Sequence, residues 1–119
     1  MRWIFVAGLV WWEISWSPAC CADEPPRVEV ANVRRAFHDG HHDAFTDLIR
    51  WNGRFWLTCR SCPDGHMVHP TSSIVILSSD DTRQWQLEHR FSVPKRDTRD
   101  PHFLSFQDKL FVYTGTWYS

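Results

Sequence analysis

Five side chains stand out for the chemistry they could do. Asp47 and Asp100 are carboxylates in echoing surroundings, Asp47-Leu-Ile-Arg-Trp and Asp100-Pro-His-Phe-Leu, and lie 53 residues apart. Two carboxylates at matching places in a repeated unit can line one pocket and share acid–base or nucleophilic work. Aspartates that merely cap turns would repeat in the same way. Arg60 and Arg99 carry planar guanidinium forks that suit a carboxylate or sugar hydroxyls near such a pocket. An internal ion pair, with Asp47 or Asp100 as partner, is the plainer use of the same groups. His66, with His69 nearby, lies in a polar loop. It titrates near neutrality and could be a general acid or simply a solvated side chain. Trp51, Trp56, Trp85 and Trp117 are able to stack on rings; for Trp56 and Trp85, core packing is the better use. His38, His41 and His42 form a His-rich tract, but their spacing suggests no ligand geometry. No metal or cofactor is expected.

The elements that must position these groups are strands and turns. Asn52-Gly53 between two apolar runs is a hairpin signal, because a type I′ turn needs positive φ at both central residues. It predicts strands over 45–50 and 54–60. A loop with Pro63, Asp64-Gly65 and Pro70 follows over 61–71. Residues 73–79 (SIVILSS) are rich in β-branched side chains and read as a third strand. Residues 84–91 set apolar Trp85, Leu87 and Phe91 among charged neighbours, which suits an exposed fourth, outermost strand. Residues 92–99 form a basic linker with Lys95, Arg96 and Arg99. Strands over 101–106 and 109–118 then repeat the opening pattern, with Asp108 at the turn position of Gly53, 55 residues on. No segment has sustained helical periodicity. A strand-and-turn unit recurring at about 50 residues marks a β-propeller blade. The expected fold is all-β: one four-stranded blade over about 44–92 and the start of a second over about 99–119, after a lead-in at 23–43.

Length and composition constrain this further. The chain has 119 residues, a net charge of −1 of mixed sign, and 15 % aromatic residues including eight Trp. Nothing in that balance points to nucleic acid or an anionic membrane surface. Residues 1–22 read as a signal peptide: Arg2, an apolar run from Trp3 to Trp12, and small residues at Cys20-Cys21-Ala22. The run is too short to span a bilayer, which needs about 20 apolar residues. The expected location is therefore secreted or periplasmic, with no membrane span. Removing 22 residues leaves 97. Propellers close with about four to eight blades, so the chain reads as the amino-terminal fragment of a longer propeller, or as an open pair that self-associates. Cys59 and Cys62 form a C-x-x-C. A short-loop disulfide, or merely structural thiols, is expected, since no helix follows to activate a redox pair. No nucleophile elbow, P-loop, dinucleotide fingerprint or metalloprotease motif occurs.

Ser78-Ser79-Asp80-Asp81-Thr82-Arg83-Gln84-Trp85 resembles the Asp-box, Ser-x-Asp-x-Gly-x-x-Trp, of the sialidase-like (BNR-repeat) propellers, with Thr82 in the glycine position. In that family the box closes the hairpin between a blade's third and fourth strands and is structural. A wider stretch, about 42–119, looks like secreted sialidase-like proteins of environmental bacteria. It has His42-Asp-Ala-Phe-Thr-Asp47-Leu, Cys59-Arg60, His66, the box, and Arg99-Asp100-Pro101 in order. Sialidases proper hold their substrate with three arginines. Arg60 could match one of them, but Phe45-Thr46-Asp47-Leu48 lacks the first. Arabinanase, xylosidase and invertase propellers place acids at inner-strand starts, and Arg-Asp-Pro is prominent in the invertase type. The resemblance implies a secreted carbohydrate-active protein whose complete form is a glycoside hydrolase acting on a glycan, with Asp47 and Asp100 as catalytic candidates and Arg60, His66 and Arg99 as substrate contacts. Hydrolysis of this kind sets two carboxylates about the glycosidic bond. A non-catalytic glycan-binding or scaffold propeller is the alternative, as is an inactive truncated fragment.

Overall fold

The computed structural model describes residues 25–118. The expected signal segment, with Cys20 and Cys21, lies outside the described residues. The chain divides into two units, Met1–Ala31 and Asn32–Ser119. The described part of the first, residues 25–31, has no regular structure.

The second unit is all β. Four strands, β1 (His42–Trp51), β2 (Arg54–Cys62), β3 (Ser73–Ser79) and β4 (Gln86–Phe91), form an antiparallel sheet in sequential order. Two more, β5 (Asp97–Phe106) and β6 (Lys109–Trp117), form a separate antiparallel hairpin. The six expected strands are present, and β1 and β5 start earlier than the apolar pattern indicated. The central strands are closed in on both faces: β3 buries Ile74, Val75 and Leu77, and β2 buries every residue from Thr58 to Cys62. By contrast β4 is exposed apart from Phe91, as its charged side chains require at an edge.

Each face of the four-stranded sheet has its own cover. Over one face runs the segment 34–41. Arg34 donates to Thr82 O at 3.2 Å, Phe37 packs on the cluster of Cys59, Val75 and Leu77, and Asp39 accepts from Ser61 Oγ at 2.7 Å and Arg90 Nη2 at 2.6 Å. The other face carries Trp56, Thr58 and Arg60 and receives β5. Alternation along a strand sends residues three apart to opposite faces, so Cys59 and Cys62 cannot reach each other. Both are free and buried, so of the two readings the structural thiols are the one present. Burial pushes the Cys59 thiol up to about 12, with Asp43 and Asp39 adding to the rise.

The hairpins β1–β2 and β5–β6 share one backbone. Ala44 faces Arg60 and Asp47 faces Thr58, so one extra residue bulges from β1; Arg99 faces Gly115 and His102 faces Tyr113, which is the same bulge 55 residues on. Each bulge contains a left-handed residue, Phe45 at φ 54° and Asp100 at φ 53°. Both turns are left-handed at two positions, Asn52 and Gly53 (φ 48° and 80°) and Gln107 and Asp108 (φ 49° and 56°), matching a type I′ pattern. This register corrects one detail read from the sequence. The partner of Asp47 is His102, and that of Asp100 is Phe45.

Candidate functional site

The starts of β1 and β5, the ends of β2 and β6, and the loop 63–72 gather at one end of the second unit. The base of this end is ionic. Asp97 and Arg60 have no exposed side-chain surface, and their two-pronged contact measures 3.0 Å (Nε to Oδ1) and 3.2 Å (Nη2 to Oδ2). Arg99 Nη2 also donates to Asp97 Oδ2, and the His69 N–H reaches it at 3.1 Å. Burial alone would push the Asp97 carboxyl up. The hydrogen bonds from Arg99 and Arg60 outweigh it and hold the group well below the usual carboxylate range.

Arg60 is thereby committed to the scaffold. Its remaining contacts run to Gly65 O at 3.0 Å and Met67 O at 2.9 Å, the carbonyls on either side of His66. The guanidinium thus spends four donor contacts on protein and fixes the loop that carries His66. Of its two expected uses, the internal ion pair is the one present, with Asp97 as partner in place of Asp47 or Asp100.

Above this base lies Arg99, itself buried. The Arg99 guanidinium lies 5.5 Å from the Phe45 ring and 5.6 Å from the Trp117 ring. Its Nη2 also donates to Met67 O at 3.1 Å, and its buried Nε has no partner among the described residues. His66 is exposed and packs by its ring on Phe45 at 5.3 Å and on His42 at 5.1 Å. Asp100 follows Arg99 on the bulge and is half-buried. The structure therefore gathers Arg60, His66, Arg99 and Asp100 at one end. Asp47 sits further along β1. Its carboxylate accepts the Leu48 N–H at 2.9 Å and the Phe103 N–H at 2.8 Å, stapling β1 to β5.

Three contributors escaped the sequence reading: Asp97, Phe45 and Trp117 as a partner of Arg99. Asp97 was legible in principle, as the one acid inside the basic run Lys95-Arg96-Asp97-Thr98-Arg99. Phe45 takes its role from the bulge, which no local pattern announces.

Two other clusters bring polar side chains together. Asp39, His41 and Ser61 stand within 2.7–3.5 Å of one another, but Ser61 is fully buried and the same His nitrogen, Nδ1, faces both partners. That arrangement holds the 34–41 segment and offers no base-activated nucleophile. At the opposite end lies the turn after β3, where the acceptor is Asp81. Asp81 Oδ1 accepts the N–H groups of Arg83 at 2.8 Å and Gln84 at 3.1 Å, which lower its pKa, while Thr82 takes the glycine-like φ of 63°. Among the described residues no three His, Cys, Asp or Glu side chains converge to hold a metal, and no helix is long and apolar enough to cross a membrane. No family model, no curated protein and no solved structure matches the chain.

Proposed function

We propose that the chain is a carbohydrate-recognising unit of a secreted, sialidase-like propeller, and that it contacts sugar at the shelf around Arg99. The observation that carries this reading is the half-exposed Trp117 ring beside the Arg99 guanidinium, with the Phe45 ring on the same guanidinium and exposed His66 alongside. Ring faces cover the apolar faces of a pyranose, and a planar donor fork takes its hydroxyls or a carboxylate. The buried Asp97–Arg60 pair supports the shelf from below, so its geometry exists before ligand arrives. The propeller reading is supported by the duplicated hairpin with its repeated bulge and by the Asp-box-like turn at Asp81.

Glycoside hydrolysis is the second reading, favoured by Asp100 next to Arg99. It requires two carboxylates about one bond, and Asp47 is engaged by two backbone N–H groups. Asp100 is then one acid of the pair, and the other comes from elsewhere in a complete assembly.

The test is a titration of the full chain with neutral and acidic oligosaccharides, read by tryptophan fluorescence. Binding should weaken at least about tenfold in Arg99→Met and in Trp117→Ala, the latter at a half-exposed position where folding is not at stake. Affinity unchanged in Trp117→Ala would sink the reading. Turnover of aryl glycosides lost in Asp100→Asn with binding kept would promote hydrolysis to first place.

A further inference from the structure

An arginine grips a carboxylate two-pronged along either of its planar edges, Nε with Nη2 or Nη1 with Nη2, and both edges include Nη2. At this end of the chain both arginines have that nitrogen occupied. Arg60 Nη2 donates to Met67 O at 2.9 Å and to Asp97 Oδ2 at 3.2 Å, with Nε on Asp97 Oδ1 and Nη1 on Gly65 O. Arg99 Nη2 donates to Met67 O at 3.1 Å and to Asp97 Oδ2. Each such nitrogen has two hydrogens, so neither fork keeps a two-pronged edge for a ligand. Arg60 also has no exposed side-chain surface, and Arg99 only 11 %. Beside them stands the half-buried carboxylate of Asp100, with no ion-pair partner among the described residues. With Arg60 and Arg99 set against Asp97 and Asp100, the cluster carries no net charge. Asp100 Oδ2 lies 4.0 Å from where a side chain at position 115 would begin. Residues 115 and 117 of β6 point to one face, so the carboxylate shares that face with the half-exposed Trp117 ring.

We infer that the shelf takes a neutral sugar and selects against one bearing a carboxylate, an inference that rests on the sugar-binding proposal and narrows it. Trp117 supplies the ring face, and the two oxygens of Asp100 can accept from neighbouring hydroxyls of one sugar. The same carboxylate repels an anionic ligand, and no arginine edge is free to compensate. Turning Arg99 toward a ligand would break its bond to Asp97 and leave a buried carboxylate short of a partner. Specificity is thus set by two aspartates: Asp97 withdraws the arginines, and Asp100 supplies the acceptor.

The experiment is calorimetric titration of the full chain with matched pairs of neutral and acidic oligosaccharides, at low and at high salt. One pair is a hexose oligomer and its uronic-acid counterpart; another is lactose and sialyllactose. In the pair that binds, the neutral member should bind at least about tenfold more tightly, because the facing like charges select against the acid. Its affinity should change less than about twofold with salt, since no ligand charge is there to be screened. Asp100→Asn keeps a residue that tolerates the left-handed backbone and removes the repulsion, so the two members should come within about threefold of each other. Tighter binding of the acid, or equal binding of both, overturns the inference and leaves sugar binding standing. A full gap retained in Asp100→Asn overturns it too, because the selection then lies elsewhere. Binding of no member of any pair sinks the sugar-binding proposal, and this inference with it.

Discussion

The hairpins β1–β2 and β5–β6 have the same turn, the same bulge and the same register, yet they do different work. The first lies inside a four-stranded sheet, with Thr58, Cys59 and Arg60 buried. Their equivalents in the second are Tyr113, Thr114 and Gly115, and the strand that carries them is largely exposed. Where the first hairpin has His42 the second has Asp97, and where the first has Phe45 the second has Asp100. The backbone is thus set by features both copies keep, while the chemistry resides in the positions where they differ. Arg60 and Asp97 are not repeat equivalents. Each is unique to its own hairpin, and together they join the two.

The largest consequence concerns that joint. Asp97→Ala strips Arg60 and Arg99 of their shared carboxylate. Removing one partner of a buried pair typically costs about 3–5 kcal/mol. Urea unfolding should show a loss in that range, and the His66 loop should become protease-sensitive because Arg60 no longer holds it. A loss below about 1 kcal/mol would mean that apolar packing at Phe103, Leu110 and Val112 carries the joint.

The second contrast pits Asp47 against its equivalent, His102. Asp47 accepts two backbone N–H groups, one from each hairpin, whereas His102 is exposed. Hydrogen bonds to a charged group contribute about 1.5–3 kcal/mol each. Asp47→Ala should cost that order, and His102→Ala less than about 0.5 kcal/mol. Equal effects would break the claim that the copies differ in role.

The cover on the sheet supplies a pH-dependent contrast, since only the first hairpin lies under the 34–41 segment. Burial would push the Asp39 carboxyl up. Hydrogen bonds from Arg90, Ser61 and the His41 N–H, with the charge of His41, bring it down from 3.8 to about 2. A depressed carboxyl stabilises the fold above its unfolded pKa and loses that contribution as pH falls through the folded one. Stability should therefore drop by about 2 kcal/mol between pH 4 and 2, and Arg90→Met should flatten that step. An unaltered acid limb in Arg90→Met would show that another carboxylate governs the transition.

How far the sequence discloses this architecture depends on the range of each signal. Asn52-Gly53 and the β-branched run at 73–79 are local, and they place the strands within a few residues. The bulges are invisible at that range, because Phe45 is a poor residue for a left-handed backbone and Asp100 stands before Pro101. Counting from strand starts, 53 residues, therefore pairs the wrong residues, whereas counting from the turns, 55, gives the true register. At the candidate site, Arg60, His66, Arg99 and Asp100 are residue types that declare themselves. Which of them are tied into the scaffold is decided by Asp97, and that choice is tertiary.

The smallest predicted effect is the most informative about the site. Phe45 and Asp100 occupy the same left-handed position in the two bulges. Asp tolerates that region, whereas a bulky aromatic residue there is strained by about 1–2 kcal/mol. Phe45→Asn should recover most of that strain. It also removes the ring that packs on His66 and lies under Arg99, contacts worth about 0.5–1 kcal/mol each. The two changes nearly cancel, so the unfolding midpoint should move little while sugar affinity falls. If Phe45 were only a packing residue, the variant would bind as the parent does, and the strained ring would have no functional justification. A clear rise in stability together with weaker binding would sharpen the contrast instead. It would mean that the first hairpin keeps an unfavourable residue at a position where the second keeps a compatible one, and that the difference serves the shelf at Arg99.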